Sequence, residues 1–490
     1  MHSAAGGHSG LLADMYQLSM AQGYWLTSAS EMEASFYVSF RENPFGGGFT
    51  LFCGLEQVLD HLERLRFSDS DIEHLAGMTG SDGAPLFDAG CLKRFREFRF
   101  KGDVDAVAEG TVVFPGEPVL KVTGPIADCQ LVESATLNTL NFQSLVATKA
   151  SRVCLAAGKD PVVEFGLRRA QGPDGALSAS RAAYVGGCVA TSNTLASRFF
   201  GIPAAGTHAH SWVVAFDEEE EAFEAFARTM PGNCTFLVDT YDTLRGVRRA
   251  VDVAKRMRLR GQEMAGIRID SGDLAYLSVE ARKILDEGGF PSAKIVASNE
   301  LDEHVITSLK NQGAAVDIWG VGTKLVTAFD QPAISGVYKL SAVRRRGGEW
   351  VPRIKISEQT AKVTIPGILG VRRYFSEDGI AGDMVYDLHA PPSAEACMID
   401  PLDVTRRKCF DAKQGYTDIL RPVLRGGGRT EPQEPLESIR SRAISEVDAL
   451  DPAIKRFLNP QGYPVGLESS LYERRKDLIM LHRSDPDQKR

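Results

Sequence analysis

The sequence predicts an α/β protein organised around a (β/α) barrel, and two observations carry that prediction. Short β-rich runs recur through the middle of the chain, at 162–165, 235–238, 266–269, 294–297 and 316–319, and from Thr235 onward their starts lie 31, 28 and 22 residues apart. Between them lie amphipathic stretches at 244–259, 274–286 and 302–312 with helical spacing of apolar residues. Apolar strands alternating with helices at this interval read as βα units on a parallel sheet. A closed or nearly closed barrel fits best, with a doubly wound open sheet as the other reading.

Taken in chain order, residues 1–135 open with a helical pattern over 11–25 and turn strand-like over 104–122, with turns at Pro115-Gly116 and Gly124-Pro125. Residues 136–345 are assigned to the barrel and 346–490 to a C-terminal region. Within that region 421–435, rich in Gly, Pro and charge, reads as an exposed loop or linker. The stretch from Met1 to Gly10 lacks the apolar segment of a signal peptide. An uncharged apolar run of about 18 residues, the length a membrane span needs, is also absent. A cytoplasmic protein with no membrane partner is expected.

At 490 residues the chain exceeds one small core, and 43% hydrophobic with 24% charged residues is ordinary globular composition. A net charge of −8 disfavours nucleic acid as a partner. The same charge requires any anionic substrate to find a local basic pocket. The eight cysteines are scattered without a Cys-x-x-Cys pair, so reduced, buried thiols are expected and zinc is not. The P-loop, the Gly-x-Ser-x-Gly elbow and the Gly-x-Gly-x-x-Gly fingerprint are all missing, which removes three common enzyme classes.

The segment after each strand is polar and glycine-punctuated, and barrel enzymes place their chemistry at the carboxyl ends of the strands. The segments are Gly166-Leu-Arg168-Arg169, Gly206-Thr207-His208-Ala-His210, Asp239-Thr-Tyr-Asp242, Asp270-Ser271-Gly272-Asp273, Ser298-Asn299 and Gly320-Val-Gly322-Thr323. Gly-rich turns entering helices present backbone N–H groups to a phosphate, and Ser271, Thr323 and Lys324 add donors there. Such turns are also common as plain structure. Lys149, Arg152, Arg168, Arg169, Arg268 and Lys324 form a basic set on or beside these loops. Arg268 lies inside an apolar strand, where a cation needs a partner: either Asp270 two residues on, or a ligand carboxylate held in bidentate fashion. His210 is open to three readings: a satisfied hydrogen-bonding group, a metal ligand lacking companions, or a nucleophilic imidazole. The acidic run 217–221 reads as a solvated helix start.

Longer motifs then fall into a recognisable order. They include Asp14-Met-Tyr16-Gln17, Pro44-Phe-Gly-Gly47, Phe165-Gly-Leu-Arg-Arg-Ala-Gln-Gly, Thr191-Ser192-Asn193, Gly206-Thr-His-Ala-His-Ser211, Arg268-Ile-Asp-Ser-Gly-Asp273, Gly320-Val-Gly-Thr323, Gly336-Val-Tyr-Lys-Leu340 and Asn459-Pro-Gln-Gly-Tyr-Pro. In these stretches the chain resembles the nicotinate phosphoribosyltransferases over nearly its whole length. The resemblance implies a decorated, irregular (β/α) barrel with an α/β N-terminal domain and a C-terminal extension. It implies a homodimer, with Tyr16 serving the neighbouring chain's site. Tyr16, Thr207 and Arg268 would contact nicotinate, with Phe165 joining Tyr16 as an aromatic clamp. Thr323, with Gly320 and Gly322 shaping its loop, would hold phosphoribosyl pyrophosphate, and Arg168, Asp270, Ser271 and Gly272 are placed with it. Lys149, Arg152, Ser192, Asn193 and Asp273 are expected in support. His210 would be transiently phosphorylated by ATP, and family members use Mg²⁺, expected to be held through substrate phosphates.

One departure bears on the substrate. Nicotinamide-using relatives carry an Asp-type acceptor near the position of Thr191-Ser192-Asn193, where this sequence has neutral groups. An Asp would repel a carboxylate, whereas Ser192 and Asn193 can donate to one. The other readings are a nicotinamide phosphoribosyltransferase and a non-catalytic nucleotide sensor on the same scaffold.

Overall fold

The computed structural model describes residues 9–377 and 379–483, so most of the N-terminal stretch that lacks a signal-type apolar segment lies outside the described residues. The chain divides into two compact units, one continuous (146–332) and one discontinuous (1–145 with 333–490).

The continuous unit holds the parallel sheet. Its strands are β1 (Val162–Glu164), β2 (Ala190–Thr191), β3 (Thr235–Leu237), β4 (Gly266–Ile269), β5 (Lys294–Ser298) and β6 (Ile318–Val321). Every pairing is parallel, in the order β2-β1-β6-β5-β4-β3. The last strand pairs with the first, Trp319 opposite Val162, so the order is that of a barrel and rules out the doubly wound alternative. Only one neighbour pair in the cycle, β2 with β3, lacks a ladder. The segment 202–206, strand-like in sequence, enters that gap as a single parallel bridge between Ala204 and Thr191. Helices Thr243–Leu259, Leu274–Glu287 and Glu303–Asn311 match the expected positions to within a residue or two. Each begins at an aspartate whose carboxylate accepts a first-turn N–H, Asp242, Asp273 and Asp302. Phe223, Phe236, Val247, Ile267, Leu285 and Ile295 fill the core beneath the first two, and Ile306 and Leu309 of the third pack with Val162 and Trp319. Each such buried side chain contributes about 1.5–3 kcal/mol.

The discontinuous unit contains two larger sheets. One is a seven-stranded antiparallel sheet in which Met32–Phe40 pairs with Gly336–Arg345 on one side and the central strand Pro118–Pro125 on the other. This redraws the expected boundary. The segment 336–345, with its Gly-Val-Tyr-Lys-Leu motif, falls within the expected barrel, but nine residues of backbone pairing commit it to the other sheet. The stretch 421–435 is likewise not simply a loop: Arg421–Arg425 and Gly428–Arg429 form a hairpin that extends the same sheet at its edge. The second sheet has six strands in mixed orientation and brings Cys397 opposite Cys409, where the two are joined as a disulfide. The expectation that all eight cysteines are reduced is thereby corrected. Adjacent antiparallel positions bring side chains together whatever their separation in sequence.

Among the described residues no helix is long and apolar enough to cross a membrane.

Candidate active site

The strand ends of the continuous unit gather the chemistry. Glu164 closes β1 and is buried, accepting hydrogen bonds from Ser180 Oγ (2.8 Å), Thr191 Oγ1 (2.5 Å) and the Gly166 N–H. These bonds fix the turn that presents Phe165. Its ring fits because position 320 is glycine: a Cβ there would sit 2.6 Å from the ring.

Over that ring, 5.4 Å from its centroid, lies the Arg268 guanidinium. Nε donates to Ser298 Oγ at 2.7 Å, Nη1 to Thr207 Oγ1 at 3.2 Å and Nη2 to Asp270 Oδ1 at 2.7 Å. The pairing with Asp270 left open by the sequence is therefore made. Burial pushes the Asp270 carboxyl upward, but the Ser298 hydroxyl and the Arg268 charge outweigh it and hold the group below the usual carboxylate range.

Asp239 lies just beyond β3 with its carboxylate almost wholly buried, Oδ2 accepting from the Asp270 N–H (2.8 Å) and Ser271 Oγ (2.7 Å). Its Oδ1 is buried without a hydrogen-bond partner among the described residues. His210, part-exposed, places Nε2 at 4.0 Å from that oxygen and 3.8 Å from Asp270 Oδ2. Its Nδ1 sits 3.1 Å from Thr240 Oγ1. One nitrogen is thus anchored and the other faces the site.

Gly272, at φ +79°, makes the turn after β4, and Asp273 caps the next helix. Gly320 lies within β6 and Gly322 follows it, leading into the single helical turn Thr323–Val326, and Lys324 pairs with Asp302 at 2.6 Å. Arg168 is exposed on the turn after β1.

Several expected participants are committed elsewhere. Lys149 and Arg152 are buried and paired with Glu303 at 2.7 Å each, and Lys149 also with Asp330, so their charge is already neutralised. Asn193 accepts the N–H groups of Leu195 and Ala196 as a helix cap and donates to Ser180. Its amide is a framework group, which leaves Ser192 as the segment's half-buried hydroxyl. The acidic run starts a helix as expected, but Glu219 is buried against Arg249 rather than solvated. Tyr16 belongs to the discontinuous unit, where it is 46% exposed, and burial together with Glu133 lifts its hydroxyl to about 12.

Sequence alone assigns no role to Glu164, Asp239, Thr240 or Ser298. Asp239 and Thr240 had a signal, the Asp-Thr-Tyr-Asp segment directly after a strand, as did Ser298 in Ser298-Asn299; Glu164 is an ordinary strand residue until its partners are known.

A cavity of about 660 Å³ in the discontinuous unit, lined by Arg41, Lys339, Tyr463 and Arg475 among others, contains none of the strand-end residues.

Comparison with known proteins places this geometry. Three family models match: the nicotinate phosphoribosyltransferase N-terminal domain over 11–141, the nicotinate phosphoribosyltransferase family over 161–360 and the C-terminal domain over 371–475. The chain belongs to the nicotinate phosphoribosyltransferase family. The enzyme is 40% identical to the nicotinate phosphoribosyltransferase of Bacillus subtilis over 96% of this chain and 95% of that one. It is 40% identical to one from Mycobacterium tuberculosis, over 92% of this chain and 90% of that one. A crystal structure of the human nicotinic acid phosphoribosyltransferase superposes with a TM-score of 0.84 at 31% identity, covering 95% of this chain and 99% of the human one.

Proposed function

We propose that this enzyme joins nicotinate to C1 of 5-phosphoribosyl 1-pyrophosphate, giving nicotinate mononucleotide and pyrophosphate, with ATP and water consumed to ADP and phosphate. It would thereby carry out the first step of NAD synthesis from nicotinate. The observation that carries the reading is Arg268, a guanidinium fixed over the Phe165 ring and flanked by the Thr207 and Ser298 hydroxyls. That set suits a flat aromatic ring bearing a carboxylate.

The pyridine nitrogen of nicotinate has a free lone pair, so its attack on C1 needs no general base. The new bond is N–C1, and the C1–O bond to pyrophosphate breaks. Catalysis then rests on orientation and on neutralising the departing charge. Thr323 and the backbone of the glycine turns are the donors assigned to the phosphoribosyl group, with Arg168 beside them, and the Ser271 hydroxyl, which donates to Asp239, orders the turn after β4. Mg²⁺, when bound, supplies further neutralisation of phosphate charge. Asp270 and the unpartnered Oδ1 of Asp239 are the protein oxygens that would hold it, together with the substrate phosphates.

His210 is assigned the energy coupling. With Nδ1 held by Thr240, Nε2 attacks the γ-phosphorus of ATP, the bond to ADP breaks, and water later cleaves the phosphohistidine. The same reading includes a homodimer in which Tyr16 serves the neighbouring chain's site, and a cytoplasmic location.

A radiolabelled nicotinate assay with phosphoribosyl pyrophosphate, with and without ATP, tests this directly. Labelled mononucleotide that increases with ATP is expected. Turnover of nicotinamide in its place would overturn the substrate, and nucleotide binding without any product would favour a sensor.

A further inference from the structure

The one gap in the barrel is closed by a side chain. On one side of the segment 202–208, Thr191 N–H donates to Pro203 O and Ala205 N–H to Thr191 O, both at 3.0 Å, so the segment is laced to β2 as a strand would be. On the other side β3 has its pairing with β4, where Val238 N–H reaches Arg268 O at 3.1 Å. The Leu237 N–H points the opposite way, into the gap, and there it meets the Nε2 of His208 at 3.1 Å. Asn233 Nδ2 adds a bond to Gly206 O at 3.1 Å. An imidazole nitrogen thus takes the place of the backbone carbonyl that a neighbouring strand would present.

That contact dictates the chemistry of the ring. Nε2 must accept, so its lone pair is free and the proton sits on Nδ1, which faces Ala209 O at 3.4 Å. A charged ring would set N–H against N–H. The surroundings agree: the ring is packed against Phe226 (4.8 Å between centroids) and Phe223, and Arg268 and His210 both oppose a positive charge there.

Placement gives the contact its purpose. Thr207, which holds Arg268, and His210, which faces Asp239 and Asp270, lie on either side of His208 in the chain. Leu237 precedes Asp239 and Thr240 by two and three residues. We infer that His208 is a positioning residue whose neutral, Nδ1-protonated imidazole closes the barrel between β2 and β3 and fixes the loop bearing Thr207 and His210 against the end of β3.

The test compares three proteins: the full-length wild type, His208→Phe and His208→Gln. Phenylalanine keeps the aromatic packing and removes the acceptor; glutamine returns an acceptor at about the reach of Nε2. The Phe variant is expected to fold, with kcat for mononucleotide synthesis down at least tenfold and the nicotinate KM raised. The Gln variant is expected to recover most of both losses. A Phe variant with wild-type constants, or a Gln variant no better than Phe, would overturn the inference. Nitrogen-15 NMR of the histidine-labelled wild type supplies a second readout independent of turnover and of the roles given to Arg268 and His210. The His208 signals should report a neutral ring protonated at Nδ1 from pH 5.5 to 8. An Nε2-protonated ring, or titration near the ordinary histidine value, would overturn it equally.

Discussion

Arg268 divides its guanidinium among three oxygens, and that division makes its replacement informative. Truncation to alanine removes the cation facing the ring-binding edge and leaves Asp270 without its charge partner. The loss of one charge-assisted bond to substrate is worth about 1.5–3 kcal/mol, so steady-state kinetics should show the nicotinate KM raised by about ten- to a hundredfold. An unchanged KM would remove Arg268 from the nicotinate site. His208 makes a different prediction, through pH. Burial lowers it from 6.5 to about 4 in the folded chain. Above pH 6.5 both folded and unfolded states carry a neutral ring and nothing is at stake. Between about 6.5 and 4 only the unfolded state takes up the proton, so stability falls as pH falls through that window and levels off below it. Thermal unfolding of His208→Gln should therefore lose less stability than wild type between pH 7 and pH 5. An identical loss would mean that other groups carry the whole acid dependence.

At the scale of elements, strand ends and helix starts work as joints. Asp302 accepts the Val305 N–H at 2.7 Å with one oxygen and binds Lys324 with the other, so one carboxylate both starts a helix and steadies the glycine turn after β6. Asp302→Ala should lower stability by about 0.5–2 kcal/mol through the lost cap, measured by denaturant unfolding. Asp302→Asn keeps a capping oxygen and should recover most of that. Gly320→Ala should act on function more than on folding. Its Cβ would displace the Phe165 ring, at an overpacking cost of about 1–3 kcal/mol, and should raise the nicotinate KM, read in the same assay. These joints also explain what could be read in advance. Strands and helices of the barrel were legible because hydrophobic periodicity is local. Arg268 was legible because a cation inside an apolar strand demands a partner. The roles of Glu164 and Ser298 were not, since a buried acid or hydroxyl shows its meaning only through neighbours far along the chain. The pairing of Lys149 and Arg152 was not legible for the same reason: their neutralising partners, Glu303 and Asp330, lie at least 151 residues away in sequence. The gap at 202–208 was hidden because an imidazole there does the work of a backbone carbonyl.

For the molecule as a whole, the disulfide between Cys397 and Cys409 closes a short loop in the discontinuous unit. A loop of that size restricts the unfolded chain by about 3 kcal/mol. Unfolding with and without a thiol reductant, alongside the Cys397→Ser/Cys409→Ser double variant, should show the reduced protein and the variant melting together, below the oxidised one. Coincidence of all three curves would show that the crosslink does not form in solution. The division into a continuous and a discontinuous unit has its own consequence, in the order of synthesis. The strand Met32–Phe40 emerges early, but its partner Gly336–Arg345 comes only after the entire continuous unit. At about 5–20 residues per second, the ribosome leaves one edge of this mostly apolar strand unpaired for tens of seconds. The barrel's sequential strand order lets it fold as it is made, while the discontinuous unit waits half-built. Expression yield should therefore respond to chaperone supply and to translation speed across the inserted segment, even for sequence changes that leave the finished enzyme untouched.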